Sequence, residues 1–314
     1  MPTIEAVELT KRFNSVTALD QASFRYEGGG AIGYLGPNGA GKTTTLKLFT
    51  AFLRPTRGSA LINGVDVQSD PKTGLWEVGS LVETPEPYPS LTARDTLSMI
   101  GEFHGLSREQ IRDRTDRYAQ ELELPPLDRK TGKLSKGQKQ RIVLATLLLA
   151  EPKVLLLDEP TSGLDPAERV IIRNLLVRLK QENRLILMSS HLLQEVTEIC
   201  DRVIFINQGR ILLQDTVENI GSRFRVTRLD VEFAGSVDSH LLSALPGVAQ
   251  VQPVSPTRFR LSFDGSEETR GAILEGCQRV GRVLSFSSSA LTLEDAYMRL
   301  IQGDPRGRGM PSSG

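Results

Sequence analysis

Apolar residues recur along this chain in two rhythms, a period of two and a period near 3.6, that trade places repeatedly from the N-terminus onward. Residues 3–9 and 19–27 alternate apolar with polar positions, which predicts half-exposed strands of an antiparallel edge sheet. Residues 31–35 are an uninterrupted apolar run and predict a buried strand. Helical spacing then runs through Leu46, Leu48, Phe49 and Phe52 until Arg54-Pro55-Thr56-Arg57-Gly58 stops it. Residues 59–64 predict a strand ending in an Asn63-Gly64 turn, and 76–82 a short strand. Thr84-Pro85-Glu86-Pro87-Tyr88-Pro89 excludes regular structure, because proline lacks the N–H that helices and ladders need. From 92 to about 122 the spacing is helical, through Leu97, Ile100 and Phe103, then Ile111, Tyr118 and Leu122. Pro125-Pro126 breaks it, and Leu134-Ser135 leads into a further helix to 149.

Residues 153–158 hold four consecutive aliphatic side chains between a lysine and an aspartate, the mark of a central parallel strand covered on both faces. A helix over 166–180, a buried strand over 184–189 and a helix over 192–200 follow. Residues 202–206 and 210–213 form a hairpin around Gln208-Gly209. Alternating strands and helices predict a doubly wound α/β core with a helical insertion. Around Gly221 the pattern changes to a strand over 226–233, a helix over 237–245, strands over 248–254 and 258–263, a helix over 267–280 and a strand over 282–287. That βαββαβ order predicts a small ferredoxin-like α+β domain, closed by a helix over 293–301. The domain limits expected are therefore 1–220 and 221–302, with 303–314 a disordered tail that has nothing to bury.

The 314 residues suit one large α/β domain with a smaller one, and 39% hydrophobic with 24% charged content is that of a globular protein. Lys plus Arg and Asp plus Glu both number 38, so no basic field of the kind that draws nucleic acid is expected. Cys200 and Cys277 are too far apart for a metal spacing and fall in apolar patterns, which suits buried free thiols in a reducing cytoplasm. Residues 1–13 lack an apolar signal core, and the longest apolar run, 142–150, is too short to span a bilayer. A membrane role would need another chain for the spanning part.

Between the strand at 31–35 and the helix that follows stands Gly36-Pro37-Asn38-Gly39-Ala40-Gly41-Lys42-Thr43-Thr44. Strand, glycine-rich loop and helix is the context of a phosphate-binding P-loop. The glycines let successive N–H groups face one anion, and the helix start adds its positive dipole end. Lys42 can reach the outer phosphates, and the Thr43 hydroxyl suits the accompanying Mg²⁺. The pattern predicts binding of a nucleoside triphosphate. Asp158-Glu159 ends the buried strand at the edge where open α/β sheets bind ligands. Asp158 suits Mg²⁺ through water, and Glu159 suits orienting or deprotonating an attacking water. In Leu134-Ser135-Lys136-Gly137-Gln138, Ser135 suits an N-cap, Gly137 permits close backbone approach, and the helix start presents N–H groups to an anion. The same residues would also make a plain, well-capped helix.

These motifs, with Ser162-Gly163-Leu164-Asp165 and His191, stand in the order and approximate spacing of the nucleotide-binding subunit of an ABC transporter, over residues 1 to about 220. The resemblance implies a P-loop NTPase ABC cassette: a RecA-like core, an antiparallel β subdomain and a helical insertion at about 84–150. It implies ATP and Mg²⁺ as cofactors. Phe13 resembles the aromatic that stacks on adenine, 162–165 the loop that senses the opposite subunit through Asp165, and His191 the switch histidine at the γ-phosphate. In this family Ser135, Gly137 and Gln138 serve the nucleotide held by the other subunit's P-loop, so a homodimer closed around ATP is implied. Glu83 stands where the family usually has Gln; with Thr43 and Asp158 it makes the implied Mg²⁺ set, adding a charge beside the phosphates.

Glu83, Lys136 and Tyr88-Pro89-Ser90-Leu91-Thr92 resemble the branch exporting lantibiotics and bacitracin-type peptides. Leu293-Glu294-Asp295-Ala296-Tyr297 and the extra domain resemble the daunorubicin-resistance and sodium-efflux branch. The resemblance thus implies an exporter's ATP hydrolase, peripheral on the cytoplasmic face of the cell membrane and partnered by an integral-membrane permease. An ABC ATPase acting on ribosomes or nucleic acid is the alternative, although such proteins usually carry two cassettes. The interval 92–130 has no sustained heptads, which disfavours the chromosome-maintenance relatives.

Overall fold

A computed structural model describes residues 1–83, 85–223 and 227–289. They fall into two units that divide between Asp215 and Thr216, a little ahead of the change of pattern near Gly221. In the first unit β1 (Thr3–Phe13) and β2 (Val16–Glu27) pair antiparallel, and the alternation expected of them is visible in Ile4 and Ala6 facing inward with Phe24. The register between the two strands shifts three times, at Ala6/Leu9, Leu9/Lys11 and Lys11/Arg12. A bulge between Ala6 and Leu9 turns both inward and leaves Glu8 at φ 46.

The strand β3 (Gly30–Leu35) delivers the glycine loop to α1 (Lys42–Phe49). The helix is shorter than its apolar spacing predicts: Thr50 turns its hydroxyl back to the Leu46 carbonyl, Ala51 is left-handed, and Phe52 lies off the helix, 68% exposed. Next, β4 (Arg57–Ile62) and β5 (Val65–Asp66) complete a sheet of order β2-β1-β4-β5 around the Asn63-Gly64 turn. One turn of helix, α2 (Pro71–Gly74), precedes β6 (Val78–Leu81).

The helical insertion contains α3 (Ala93–Phe103) and α4 (Arg108–Glu121), each opened by a capping box. The apolar face of α3 runs Ala93, Leu97, Gly101, so Phe103, counted by spacing with the buried stripe, is 77% exposed. A 3₁₀ turn (Thr131–Lys133) leads to α5 (Lys136–Leu148). The buried Arg141 guanidinium of α5 donates to the Leu122 and Glu123 carbonyls at 3.1 and 2.7 Å, tying this helix to the end of α4.

Then β7 (Val154–Asp158), α6 (Pro166–Gln181), β8 (Leu185–Ser190), α7 (Leu193–Ile199), β9 (Arg202–Asn207) and β10 (Arg210–Thr216) complete a six-stranded sheet of order β10-β9-β3-β8-β7-β6. The strands from β9 to β6 in that order run parallel, so the carboxyl ends of β3, β7 and β8 share one edge. Ile4, Phe24, Leu46, Phe49, Tyr34, Leu156 and Ile204 belong to one buried cluster, which joins the antiparallel sheet and α1 to the parallel sheet.

In the second unit α8 (Val217–Arg223) is followed by β11 (Thr227–Phe233), α9 (Ser239–Ser243), β12 (Val248–Pro253), β13 (Arg258–Phe263), α10 (Glu267–Val280) and β14 (Val283–Ser289). The strand order β12-β13-β11-β14, with antiparallel pairs throughout, is the ferredoxin-like arrangement expected. Leu229, Val231 and Phe233 pack with Phe259, Leu261 and Phe263 beneath Leu242, Ile273 and Cys277. Burial pushes the Cys277 thiol up to about 11, and that of Cys200 higher still, so both are inert thiols. The closing helix expected at 293–301, the motif Leu293 to Tyr297 and the tail at 303–314 lie outside the described residues.

Candidate functional site

The glycine loop turns tightly enough for the Ala40 N–H to donate to the Pro37 carbonyl at 3.1 Å. Gly41 closes it at φ 108, with the Ala18 carbonyl of β2 lying 2.4 Å from where a Cβ would stand. Any side chain there would push β2 off the loop. Lys42 opens α1 but bends back, its ammonium donating to the Gly36 and Pro37 carbonyls at 2.8 and 3.2 Å. Only 6% of the residue is exposed. Burial holds its pKa below the ordinary lysine value, against the opposing pull of Glu159 and Asp158.

Behind the loop the parallel register brings Asp158 level with Ser189 of β8. The Thr43 hydroxyl donates to Asp158 Oδ2 at 2.8 Å, and the Ser189 hydroxyl to Oδ1 at 2.5 Å. Two hard oxygens, a hydroxyl and a carboxylate, thus meet at the first turn of α1, which is the donor type that Mg²⁺ takes. Glu159 sits at φ 49, its N–H donating to both the carbonyl and the hydroxyl of Ser189 at 3.2 and 2.9 Å. This pinned backbone directs the carboxylate to Lys42 Nζ at 3.8 Å and to His191 Nδ1, which donates to it. Sequence reasoning missed Ser189. Its signal was a small polar residue ending a run that is otherwise Leu185-Ile186-Leu187-Met188.

A cleft of about 190 Å³ lies over this group, lined by Ala18, Asn38, Gly39, Gly41, Lys42, Thr43, Thr44 and Glu159. Ala18 is a second residue the sequence did not single out; β2 carries its backbone against the loop. Phe13 stands at the end of β1 opposite Val16, 43% exposed, with Lys11 Nζ 5.0 Å from its ring centre, and does not line the cleft.

Ser135 caps α5: its hydroxyl accepts from the Gln138 N–H at 3.1 Å, and Gln138 Oε1 accepts from the Ser135 N–H at 3.1 Å. Asp165 likewise caps α6, accepting from the Glu168 N–H at 2.8 Å. The close approach expected of Gly137 is to its own chain, since a Cβ there would lie about 2 Å from the Glu168 carboxylate. None of Ser135, Gly137, Gln138 or Asp165 lines the cleft of Lys42. Nor is Glu83 joined to Thr43 and Asp158. At φ 67 it turns its carboxylate to Lys47, one turn along α1 from Thr43.

Comparison with known proteins assigns a family to this geometry. Residues 19–162 match the family model described as ABC transporter. The chain is 34% identical over 224 residues, 69% of its length and 91% of the relative's, to the ABC transporter ATP-binding protein NatA of Bacillus subtilis. The chain belongs to the ATP-binding subunits of ABC transporters. It is thus an ABC-type ATPase of the kind coupled to transport. This ABC subunit is also 36% identical, over 71% of its length and 72% of the relative's, to the bacitracin transport ATP-binding protein BcrA of Bacillus licheniformis. Over 95% of its length and 92% of the relative's it is 30% identical to the daunorubicin/doxorubicin resistance ATP-binding protein DrrA of Streptomyces peucetius. A solved ATP-binding subunit of an ABC transporter superposes with a TM-score of 0.65 at 29% identity, covering 70% of this ABC subunit and 92% of that structure.

Proposed function

We propose that two copies of this ABC subunit bind ATP with Mg²⁺ across a shared face, and that closure and reopening of the pair drive a separate membrane permease that exports a drug, peptide, lipid or ion. The observation that carries this reading is the division of the site. Lys42, Thr43, Asp158 and Glu159 converge on one cleft, while Ser135 at the head of α5 does not line it. A second copy presenting its Ser135 turn to the cleft would supply the missing N–H groups for the outer phosphates. Thr43 and Asp158 would hold Mg²⁺, which stabilises charge on the phosphates. Glu159, oriented by His191, would take the proton of the attacking water.

Export is supported by the names of the relatives, which transport bacitracin, confer daunorubicin resistance or export Nod factor. Among the described residues no helix is long and apolar enough to cross a membrane. A place on the cytoplasmic face beside a permease is supported by the kinship with transporter ATP-binding subunits. Capture of the full chain from detergent-solubilised membranes of its own cell is expected to bring down a multi-span membrane protein in comparable amount. Recovery of ribosomal proteins or nucleic acid in its place would move the assignment to the ABC ATPases that act there.

Glu83 gives a second test. Its ion pair with Lys47 leaves the Glu83 side chain 66% exposed, so the pair contributes at most about 1 kcal/mol and is readily exchanged for a metal. Glu83→Gln is expected to raise the Mg²⁺ concentration for half-maximal hydrolysis roughly threefold to tenfold, an amide being the weaker ligand. ATP binding measured in EDTA should hold or tighten slightly, because a negative charge has left. An unchanged Mg²⁺ midpoint would restrict Glu83 to its partnership with Lys47.

A further inference from the structure

Hydrolysis as described uses Glu159 and His191, whose loops are already tied through Ser189 and through the bond between their own side chains; a further tie lies just beyond those residues. Glu195, in the first turn of α7, touches both loops. Its Oε2 accepts from the Thr161 hydroxyl at 2.5 Å and lies 3.5 Å from the Ser190 hydroxyl. Thr161 follows Glu159-Pro160, and Ser190 directly precedes His191. Both hydroxyl residues are buried, and Ser190 Oγ also accepts from the Leu192 N–H at 2.9 Å, on the far side of His191. The first loop is gripped once more from α5, where Gln140 donates to the Pro160 carbonyl at 3.0 Å.

The other carboxylate oxygen, Glu195 Oε1, is buried without a hydrogen-bond partner among the described residues. A buried acceptor left unmade is costly, so this side chain is poorly accounted for by folding stability alone. A carboxylate serving only the dipole of α7 would do so equally well in water. A half-buried acid with one oxygen turned to two loops and the other buried without a partner fits a strut better than a solubilising charge.

We propose that Glu195 is a positioning residue for hydrolysis: one oxygen accepts from Thr161 and shares the Ser190 hydroxyl with the Leu192 carbonyl, 3.4 Å from it, and so sets the spacing between the Glu159 loop and the His191 loop. The proposal rests on the hydrolytic reading of Glu159 and His191. It predicts that the strut acts on turnover and leaves the grip on nucleotide alone, since Glu195 does not itself line the Lys42 cleft and bears on it only through the Glu159 loop.

The test uses the full chain. Glu195→Ala is expected to lower kcat about tenfold to thirtyfold while the dissociation constant of a fluorescent ATP analogue stays within about twofold, the split expected of misplacement. Glu195→Gln keeps an acceptor for Thr161 and should lose only about threefold. Thr161→Val should resemble Glu195→Ala, and the double variant should be no worse than either alone, the mark of one shared interaction. Amide hydrogen exchange in Glu195→Ala should quicken at 160–164 and 190–193 together but not at 36–44. An unchanged kcat, equal losses in Ala and Gln variants with weakened nucleotide binding, or additive effects would overturn the proposal. If Glu159→Gln itself kept full turnover, the hydrolytic reading would fail instead, and the exchange data would still report whether Glu195 couples the loops.

Discussion

Turnover of ATP by Glu159→Gln is expected to fall roughly a hundredfold to ten-thousandfold, the range that one positioned general base supplies, with ATP affinity held within about threefold. The substitution is nearly isosteric. The backbone of residue 159 is pinned by Ser189 through its N–H, which the side-chain change does not touch. The amide oxygen can still accept from His191 Nδ1, so the loop keeps its place. What disappears is basicity, together with the negative charge 3.8 Å from Lys42. The variant should bind ATP, bring two copies together and stay there, so light scattering with ATP and Mg²⁺ should show a persistent dimer where the wild type returns to monomer. Phosphate release near the wild-type rate would remove Glu159 from its role. Parallel loss of binding and turnover would instead mean that the loop had collapsed.

Lys42→Ala should weaken ATP binding about tenfold to a hundredfold, corresponding to the ~1.5–3 kcal/mol of hydrogen bonds to a charged group. Its ammonium now donates to the Gly36 and Pro37 carbonyls, at the wall of the cleft where the outer phosphates would arrive. Titration by isothermal calorimetry would read the loss directly. The folded protein without nucleotide should change far less. Burial lowers the pKa of Lys42, which means the fold disfavours its charged form. That penalty is present at pH below the lowered folded value and is relieved as pH rises through it toward the unfolded one. Removing the ammonium therefore removes a cost along with two hydrogen bonds, and the melting temperature should move by only a few degrees. Unchanged ATP affinity would show that the loop's N–H groups hold the phosphates without help. A large fall in melting temperature would make Lys42 chiefly a loop brace.

Hydrophobic period and loop chemistry determined much of this molecule locally. A continuous apolar run such as 153–158 can satisfy itself only as a strand covered on both faces, and it forms β7 between β6 and β8. Gly36 to Thr44 carries its own turn geometry, and the βαββαβ pattern after Gly221 returns as a four-stranded antiparallel sheet. Errors came where a neighbour outweighed local preference. Phe52 and Phe103 have the right spacing for a buried stripe, but α1 stops at Phe49 and α3 turns its Ala93-Leu97-Gly101 face inward.

Convergence of the site was decided only by the tertiary structure. Thr43 and Asp158 are far apart along the chain and meet because β3 and β7 flank β8 in one parallel register, the same register that brings Ser189 to both Asp158 and Glu159. Glu83 shows the limit most plainly. Its identity was evident from the chain, yet its turn toward Lys47 depends on where α1 runs relative to the end of β6. A residue's chemistry is written in its side chain, whereas the partner that chemistry meets is set by strand order and register, which no local stretch of sequence contains.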